Sequence, residues 1–274
     1  MRRVQIRLLR TFDEFRACER IQKEVWGTLA VGSELMGVTQ KYAGVVLGAL
    51  VKKQVVGFLY AILGRRHGRL IHWSHMMAVR ESFRDQGLGF RMKLAHRKLA
   101  VAQGIRSICW TYDPLQSRNA TLNLARLGVK VEEYIPDCYG RFPSIIEKGL
   151  ASDRFVVNWR IATAAVEWRV AQGAPPFGDI AGLPRANKTR IGANGLLENA
   201  RLHLRLHTPR LLVEIPGDTD TIRCQALKLA IRWRWETRKI FQHYLAAGYG
   251  VTSFVPPSEA TAGKCFYVLD RAGN

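Results

Sequence analysis

The feature that most constrains this chain is a glycine turn between an apolar strand and a helix. Apolar spacing predicts the strand over 70–79 and the helix over 87–103, with Arg84-Asp85-Gln86-Gly87-Leu88-Gly89 at the junction. Glycines allow close backbone approach, and the first turn of a helix leaves its N–H groups without intrahelical acceptors. The helix dipole and the charge of Arg84 favour an anion there. The junction therefore predicts a site for phosphate oxygens.

Two familiar phosphate-binding loops are excluded by the sequence. No GxxxxGK[ST] string occurs, so the junction is not a Walker loop. Met92 occupies the position at which a dinucleotide-binding fingerprint has its third glycine. A bare RxxGxG string also fits an ordinary turn, so its place between strand and helix is what favours the phosphate interpretation.

Apolar periodicity predicts a mixed α/β domain over residues 1–163. A strand, a helix and a strand over 70–111 make a crossover unit, which implies a parallel strand pair. Other predicted strands cover 4–9, 43–51, 54–63, 131–135 and 155–161, and other predicted helices cover 12–26 and 119–127.

The composition changes after residue 163. Glycine and proline are frequent over 173–195, so we expect a connector over 164–208. Residues 209–274 are expected to form a small α/β extension packed on the core, because the apolar stripe of its long helix, 218 or 220 to 247, needs a partner. Basic residues on the remaining arc of that helix predict a solvated face, with nucleic-acid binding as the alternative: Arg223, Arg232, Arg234, Arg238 and Lys239. Strands are predicted over 211–215, 250–255 and 265–269.

The chain is strongly basic. Its 42 Lys and Arg against 22 Asp and Glu leave a formal charge of +20, which predicts an anionic partner such as nucleic acid, a membrane surface or a phosphorylated cofactor. No RNP-like aromatic string or KH-type GxxG loop supports a known RNA module.

Five cysteines are scattered without a CxxC pair, which predicts reduced thiols and no metal site. Apolar stretches at 42–51 and 55–63 are too short to span a bilayer. Residues 1–10 alternate charged and apolar side chains, which predicts a strand and no signal peptide. We therefore expect a cytoplasmic protein that does not enter a membrane, while its oligomeric state does not follow from these patterns.

Residues 1–163 resemble the GCN5-related N-acetyltransferase (GNAT) superfamily. The element order matches throughout, and Arg84–Gly89 fits the pyrophosphate-binding pattern Q/R-x-x-G-x-G/A. The strings WTYDPLQSRNATLNLARLG (110–128) and SDRFVVNWRI (152–161) resemble a bacterial and archaeal branch of predicted acetyltransferases that offers no substrate to carry over. The resemblance implies an α/β (α+β) GNAT fold, in which helices flank a mixed central sheet whose parallel fourth and fifth strands splay apart.

The same resemblance implies that acetyl-CoA is a co-substrate bound in the opening between these strands. Its pantetheine amides would pair with the backbone of Met77 and Val79, its pyrophosphate would lie on the turn, and Asn119 would contact the pantetheine arm. The implied binding residues are Met77, Val79, Arg84, Asp85, Gln86, Gly87, Leu88, Gly89 and Asn119.

His75 is the expected general base. The string HMMAVRESFRDQG resembles the arylalkylamine N-acetyltransferase segment in which a strand histidine serves proton removal. Strand alternation places Trp73, His75, Met77 and Val79 on one face, with His72 on the other unless a bulge changes the phase. A structural histidine is the alternative interpretation.

The general acid is less well defined, because Leu124 stands where the family usually has a tyrosine, four residues before Gly128. We take Tyr139 as the expected acid toward the CoA sulfur. Packing roles remain open for it and for two substitutes, Tyr112 and Cys138. Asp113 either orients an amine or anchors the turn before Pro114.

Two functions from different classes follow. The first is an acyl-CoA-dependent N-acyltransferase that passes acetyl to an amine by direct attack on the thioester. The alternative is a non-catalytic CoA sensor, or a basic protein that binds RNA or ribosomes. The glycine turn favours the enzyme, whereas the missing tyrosine favours the alternative. An acceptor within an anionic assembly would explain both the turn and the charge.

Overall fold

The secondary structure follows the apolar periodicity of the sequence closely. A computed structural model of the chain describes residues 4–27, 30–140, 149–173, 178, 180–261 and 263–271. Its helices are α1 (Phe12–Trp26), α2 (Ser33–Tyr42), α3 (Leu88–Ala102), α4 (Ser117–Ala120), α5 (Ala164–Gln172), α6 (Thr219–Gln225) and α7 (Leu227–Ala246); a π-helical segment (Thr121–Leu127) follows α4, and single 3-10 turns cover Glu81–Phe83 and Glu259–Thr261. Its strands are β1 (Gln5–Leu8), β2 (Gly44–Val51), β3 (Gln54–Arg66), β4 (Arg69–Val79), β5 (Ile108–Tyr112), β6 (Lys130–Ile135), β7 (Arg154–Trp159), β8 (Asn187–Ile191), β9 (Leu197–Leu202), β10 (Arg210–Ile215), β11 (Tyr249–Val255) and β12 (Cys265–Arg271).

The central sheet is mixed, with the order β1-β2-β3-β4-β5-β7-β6. Strands β1 to β4 pair antiparallel, and β4 pairs parallel to β5 across the α3 crossover. The parallel pairing joins His72 to Ile108 and Trp73 to Cys109, and the described strands pair no further. The expected α/β class, with a mixed sheet that opens between its parallel fourth and fifth strands, is confirmed.

The chain divides into two compact units. Of the described residues, the first unit contains those up to 110 together with 159–163. The second contains 111–140, 149–158 and the described residues from 164 onward.

Two apolar layers cover the sheet of the first unit. Phe15 of α1 and Met36 of α2 share one core with Phe58 of β3. Leu88 and Met92 of α3 share another core with alternate residues of β2 and β3. Because strand side chains alternate between faces, α1 and α2 cover one side of β2 and β3 while α3 covers the other.

Local sequence sets the element ends in this unit. Thr11 accepts a hydrogen bond from the Glu14 backbone, and the Glu14 side chain accepts one from the Thr11 backbone, so a capping box starts α1. Lys52 and Lys53, with φ of 47° and 72°, form the two-residue turn between β2 and β3.

Aromatic packing forms the interior of the second unit. The ring centroids of Phe155 and Phe241 lie 4.7 Å apart, and those of Phe241 and Tyr267 lie 5.2 Å apart. These rings bring β7, α7 and β12 together, and β12 is the central strand of the antiparallel sheet β10-β12-β11.

Two ion pairs join α7 to residues of the 111–140 and 149–158 segments of the same unit. Arg234, only 3% exposed, donates to both carboxylate oxygens of Asp113, and Arg238 donates to both oxygens of the fully buried Asp153. The prediction that this face of the helix is solvated is therefore wrong at these two arginines, because each one contacts a carboxylate rather than water.

Three other features differ from the sequence-based expectation. The long helix predicted from 218 or 220 to 247 is broken at Ala226, whose φ of −148° and ψ of 73° are not helical, so α6 and α7 are separate. Helix α2 was not predicted, since Leu35 and Val38 are exposed and leave no clear apolar stripe. The segment predicted as a connector, 164–208, holds α5 and the β8–β9 hairpin. The proposed domain boundaries at 163 and 208 stay predictions. No helix in the described ranges is long and apolar enough to cross a bilayer.

We expect Arg234→Met to lower the free energy of unfolding by about 3–5 kcal/mol, because it leaves the Asp113 carboxylate buried without its cation. Lys239→Met, on the exposed side of the same helix, should change stability by only about 0.5 kcal/mol. Urea unfolding of both variants measures the difference. Equal stability in the two variants would show that the buried pair contributes nothing.

Candidate functional site

The glycine turn of the sequence lies at the start of α3. Gly87 precedes the helix with φ +72°, a left-handed conformation that favours glycine, and no side chain caps the helix start. A Cβ built on Gly87 would meet no atom of the described residues within 4 Å, so these residues leave the space over the turn open. The helix therefore begins with backbone donors that are not covered by a capping side chain.

Two side chains of the turn donate hydrogen bonds to nearby backbone carbonyls. The Arg84 guanidinium donates to the Val79 carbonyl at 3.2 Å, which ties the turn to the end of β4. The Gln86 amide donates to the Ser82 carbonyl at 3.4 Å. Asp85 has φ 59°, a second left-handed residue close to Gly87. These contacts give the turn a defined shape, and its predicted role in binding pyrophosphate stays a prediction.

A β-bulge interrupts β4 near the predicted base. Tyr60 of β3 pairs with Met76, but the next residue, Ala61, pairs with Ser74, so His75 is the additional residue on β4. One additional residue shifts the side-chain alternation of the strand by one position.

The bulge changes which residues share a face of β4. His72 and Ser74 contact α3, and Met77 and Val79 pack in the core beneath that helix. The His75 ring instead lies 6.0 Å from that of Tyr60, which belongs to the core formed with α1 and α2. The prediction of one shared face for Trp73, His75, Met77 and Val79 is therefore wrong. His72 and Ser74 share the face of Met77 and Val79.

His75 has the ionisation state that a general base needs. Its side chain is exposed, but the neighbouring Tyr60 ring and strand remove part of its water. This desolvation lowers the pKa of His75, so its imidazole is neutral near pH 7. Its predicted role as base stays a prediction.

The other predicted residues lie in the second unit. Tyr139 is 46% exposed, its hydroxyl lies 2.7 Å from that of Thr111, and the Arg154 guanidinium lies 5.2 Å from its ring centroid. Asn119 is exposed within α4, and Leu124 is buried in the π-helical segment.

Asp113 and Tyr112 have clear structural roles in that unit. Asp113 accepts from the Leu115 backbone at 2.8 Å as well as from Arg234, so it anchors the turn before Pro114. Burial alone would raise the pKa of Asp113, but the adjacent Arg234 charge outweighs this effect and lowers it. Burial raises the pKa of Tyr112, whose ring packs on Phe155.

A buried lysine next to the bulge was not predicted. The side chain of Lys93 projects from α3, is 2% exposed, and places Nζ 3.1 Å from Ser74 Oγ and 3.4 Å from the Trp110 ring centroid. In the ranges described, no carboxylate lies within ion-pair distance of Nζ. Burial lowers the pKa of Lys93 to about 7.

Two buried histidines adjoin this lysine. His72 Nδ1 lies 3.0 Å from His96 Nε2, and the two rings stack at 5.2 Å. Within the part of the chain that the structure describes, His96 Nδ1 has no hydrogen-bond partner. Burial lowers the pKa of both histidines, and the Lys93 charge lowers that of His96 further. The available sequence signal was the helical spacing that puts His96 on the buried stripe with Met92 and Ala100.

Four features occur together in the described residues: a mixed sheet, the α3 crossover, the parting of β4 from β5, and the uncapped glycine turn. These features are the ones that the resemblance to the GNAT fold implies. No family model matches it, and no curated protein matches it. In the described part of the chain, no group of three or more His, Cys, Asp or Glu residues is placed to hold a metal ion.

Solved structures of GNAT acetyltransferases are similar to this chain. The ribosomal-protein-S18-alanine N-acetyltransferase from Escherichia coli is 15% identical over 59% of this chain and 96% of its own, with a TM-score of 0.47. A GNAT-family acetyltransferase from Streptococcus pneumoniae is 17% identical over 57% and 98%, also at 0.47. NAA60 from Arabidopsis thaliana, in complex with acetyl-CoA, is 10% identical over 58% and 99%, at 0.48.

We expect the contribution of Lys93 to the stability of the protein to fall as the pH drops from about 9.5 to about 7.5. Its pKa is about 7 when folded but about 10.4 when unfolded, so the unfolded state binds more protons in this window. The loss should reach about 1.4 kcal/mol per pH unit. Urea unfolding at both pH values should show that Lys93→Met removes this dependence and that Lys98→Met, at an exposed site on α3, retains it. The same pH dependence in Lys93→Met as in the wild type would contradict the assignment.

Proposed function

We propose that this protein is an acyl-CoA-dependent N-acyltransferase that transfers acetyl from acetyl-CoA to an amine. The observation that carries the proposal is the open, uncapped turn at Gly87, located at the carboxyl end of β4 where that strand has parted from β5. Backbone donors at a helix start bind phosphate oxygens, and open α/β sheets bind ligands beyond the carboxyl ends of their strands.

The parted edge of β4 supports binding of the pantetheine arm. On one side, Met77 pairs with Leu59 and Val79 pairs with Gly57 of β3. On the other side, pairing with β5 ends at Trp73, which leaves this edge of β4 available for an extended ligand. Pantetheine carries two amides, so it can add to the edge as a further strand would.

The reaction requires one group to accept a proton from the amine and another to donate a proton to the CoA sulfur. The acceptor amine must lose a proton as its nitrogen attacks the thioester carbonyl, and neutral His75 is suited to receive that proton directly or through one water. Holding amine and thioester together supplies a further part of the rate enhancement. Tyr139 is the acid that the sequence predicts toward the CoA sulfur.

The acceptor is proposed only as a class. The charge of +20 favours an amine on an anionic molecule or within an anionic assembly, because electrostatic attraction raises the encounter rate. Leu124 at the usual tyrosine position keeps a CoA-binding protein without turnover as the second candidate.

We expect Gly87→Glu to abolish binding of CoA, since its carboxylate would enter the open space over the turn and repel phosphate. Gly104→Glu is the matched control, because Gly104 has φ +75° and similarly open surroundings at the other end of α3. Calorimetry and thermal shift with CoA measure binding. A folded Gly87→Glu protein with the affinity of the wild type would show that the proposed cleft is wrong.

We expect His75→Gln to lower kcat by about 10²- to 10⁴-fold, as loss of a general base does, while CoA binding changes little. The acidic limb of the pH–rate profile should flatten as well. Release of CoA from acetyl-CoA, with a panel of peptides and polyamines as acceptors, measures turnover. His207→Gln, at an exposed histidine, is the control, and an unchanged rate and pH profile in His75→Gln would leave proximity as the main catalytic effect.

A further inference from the structure

The fork between β4 and β5 has a defined vertex. His72 pairs with Ile108 and Trp73 pairs with Cys109, so the next residue on each strand, Ser74 on β4 and Trp110 on β5, is the first that is unpaired across the fork. Lys93 reaches between these two residues from α3. Its ammonium therefore lies at the closed end of the opening in which the proposed function places acyl-CoA.

Among the described residues, none places an anion next to the Lys93 ammonium. Ser74 Oγ accepts one hydrogen bond at 3.1 Å, and the Trp110 ring contributes a cation–π contact with a distance of 3.4 Å. The Lys93 charge acts on the buried imidazole of His96, which stacks on His72, and both imidazoles have lowered pKa values. An ammonium has three N–H donors, so this buried cation is suited to bind a negatively charged atom of a ligand.

The expected course of the ligand brings such a charge to the vertex. Phosphates at the Gly87 turn place the nucleotide end beyond Val79, and pairing with Val79 and Met77 directs the pantetheine arm toward Ser74. The thioester sulfur is the end of that arm. When the amine displaces it, the sulfur becomes a thiolate near the Lys93 ammonium.

We propose that Lys93 is a catalytic residue that protonates the departing CoA thiolate. The inference rests on the proposed function. The acceptor nitrogen attacks the carbonyl carbon, the C–N bond forms, and the C–S bond breaks with its electron pair on sulfur. One proton moves from Lys93 Nζ to sulfur and gives the CoA thiol. The proton lost by the acceptor goes to His75, and solvent restores both groups after release.

Three observations support this assignment over Tyr139. Lys93 belongs to the same unit as the turn and the fork, and it lies at the vertex itself. Its pKa of about 7 matches the operating pH, at which a general acid is most effective. Leu124 offers no proton at the position usual for the acid, so the reaction needs another donor.

The decisive experiment measures the pKa of the CoA thiol when bound, from the ultraviolet absorbance of the thiolate, and needs no acceptor. A cation at the sulfur favours the thiolate, so we expect the bound thiol in the wild type to have an ionisation constant at least about tenfold above that of free CoA. In Lys93→Met the constant should fall by about tenfold or more from the wild-type value. Lys98→Met, at an exposed site on the same helix, should match the wild type.

A second measurement uses the wild-type protein alone, in case Lys93→Met does not fold. Linkage is reciprocal, so CoA should raise the pKa of the Lys93 ammonium, measured by nitrogen NMR of labelled lysine, and desulfo-CoA should not. Equal shifts with both ligands would overturn the proposal, as would a wild-type thiol pKa in CoA-bound Lys93→Met. Failure of the wild type to bind CoA would overturn the proposed function and this inference together. Normal CoA binding with a thiol pKa equal to that of free CoA would overturn this inference alone.

Discussion

The parting of β4 and β5 after two residue pairs is the constraint on which the proposed site depends. A parallel pair that continued to Val79 would use the β4 edge for sheet hydrogen bonds and leave no opening. Bulky groups stand at the point of divergence, where Lys93 lies against Trp110 and Trp110 packs edge-on against Trp159 at 6.4 Å. The opening is therefore maintained by packed side chains within the first unit.

The bulge at His75 acts on the same strand with a different result. Without it, alternation would place His75 toward α3 and Ser74 away from it. With it, Ser74 turns toward Lys93 while His75 lies near Tyr60, so two polar groups on adjacent residues face opposite sides of β4. In the proposed reaction, the bulge therefore separates His75, which accepts the amine proton, from Lys93, which protonates the sulfur. The separation keeps Lys93 from passing its proton directly to His75.

Charge in this protein has two distinct uses. Inside the second unit, Arg234 forms an ion pair with Asp113 and Arg238 forms one with Asp153. Each pair is desolvated, so removing one partner lowers the stability of the protein. Exposed basic residues such as Lys239 remain available to attract an anionic partner. Each of these two arginines is balanced by its own carboxylate, so the excess of +20 belongs to the other charged residues.

The sequence by itself determined the element order, the glycine turn and most element bounds, because apolar spacing, capping residues and glycine conformation act within a few residues. It could not determine the face on which His75 lies, since a bulge depends on pairing with a neighbouring strand. It could not show that Lys93 is buried at a vertex or that Arg234 meets Asp113, because a charged residue in a helix is solvated unless distant segments enclose it. Those contacts join residues far apart in the chain, and only the tertiary structure decides which distant groups meet.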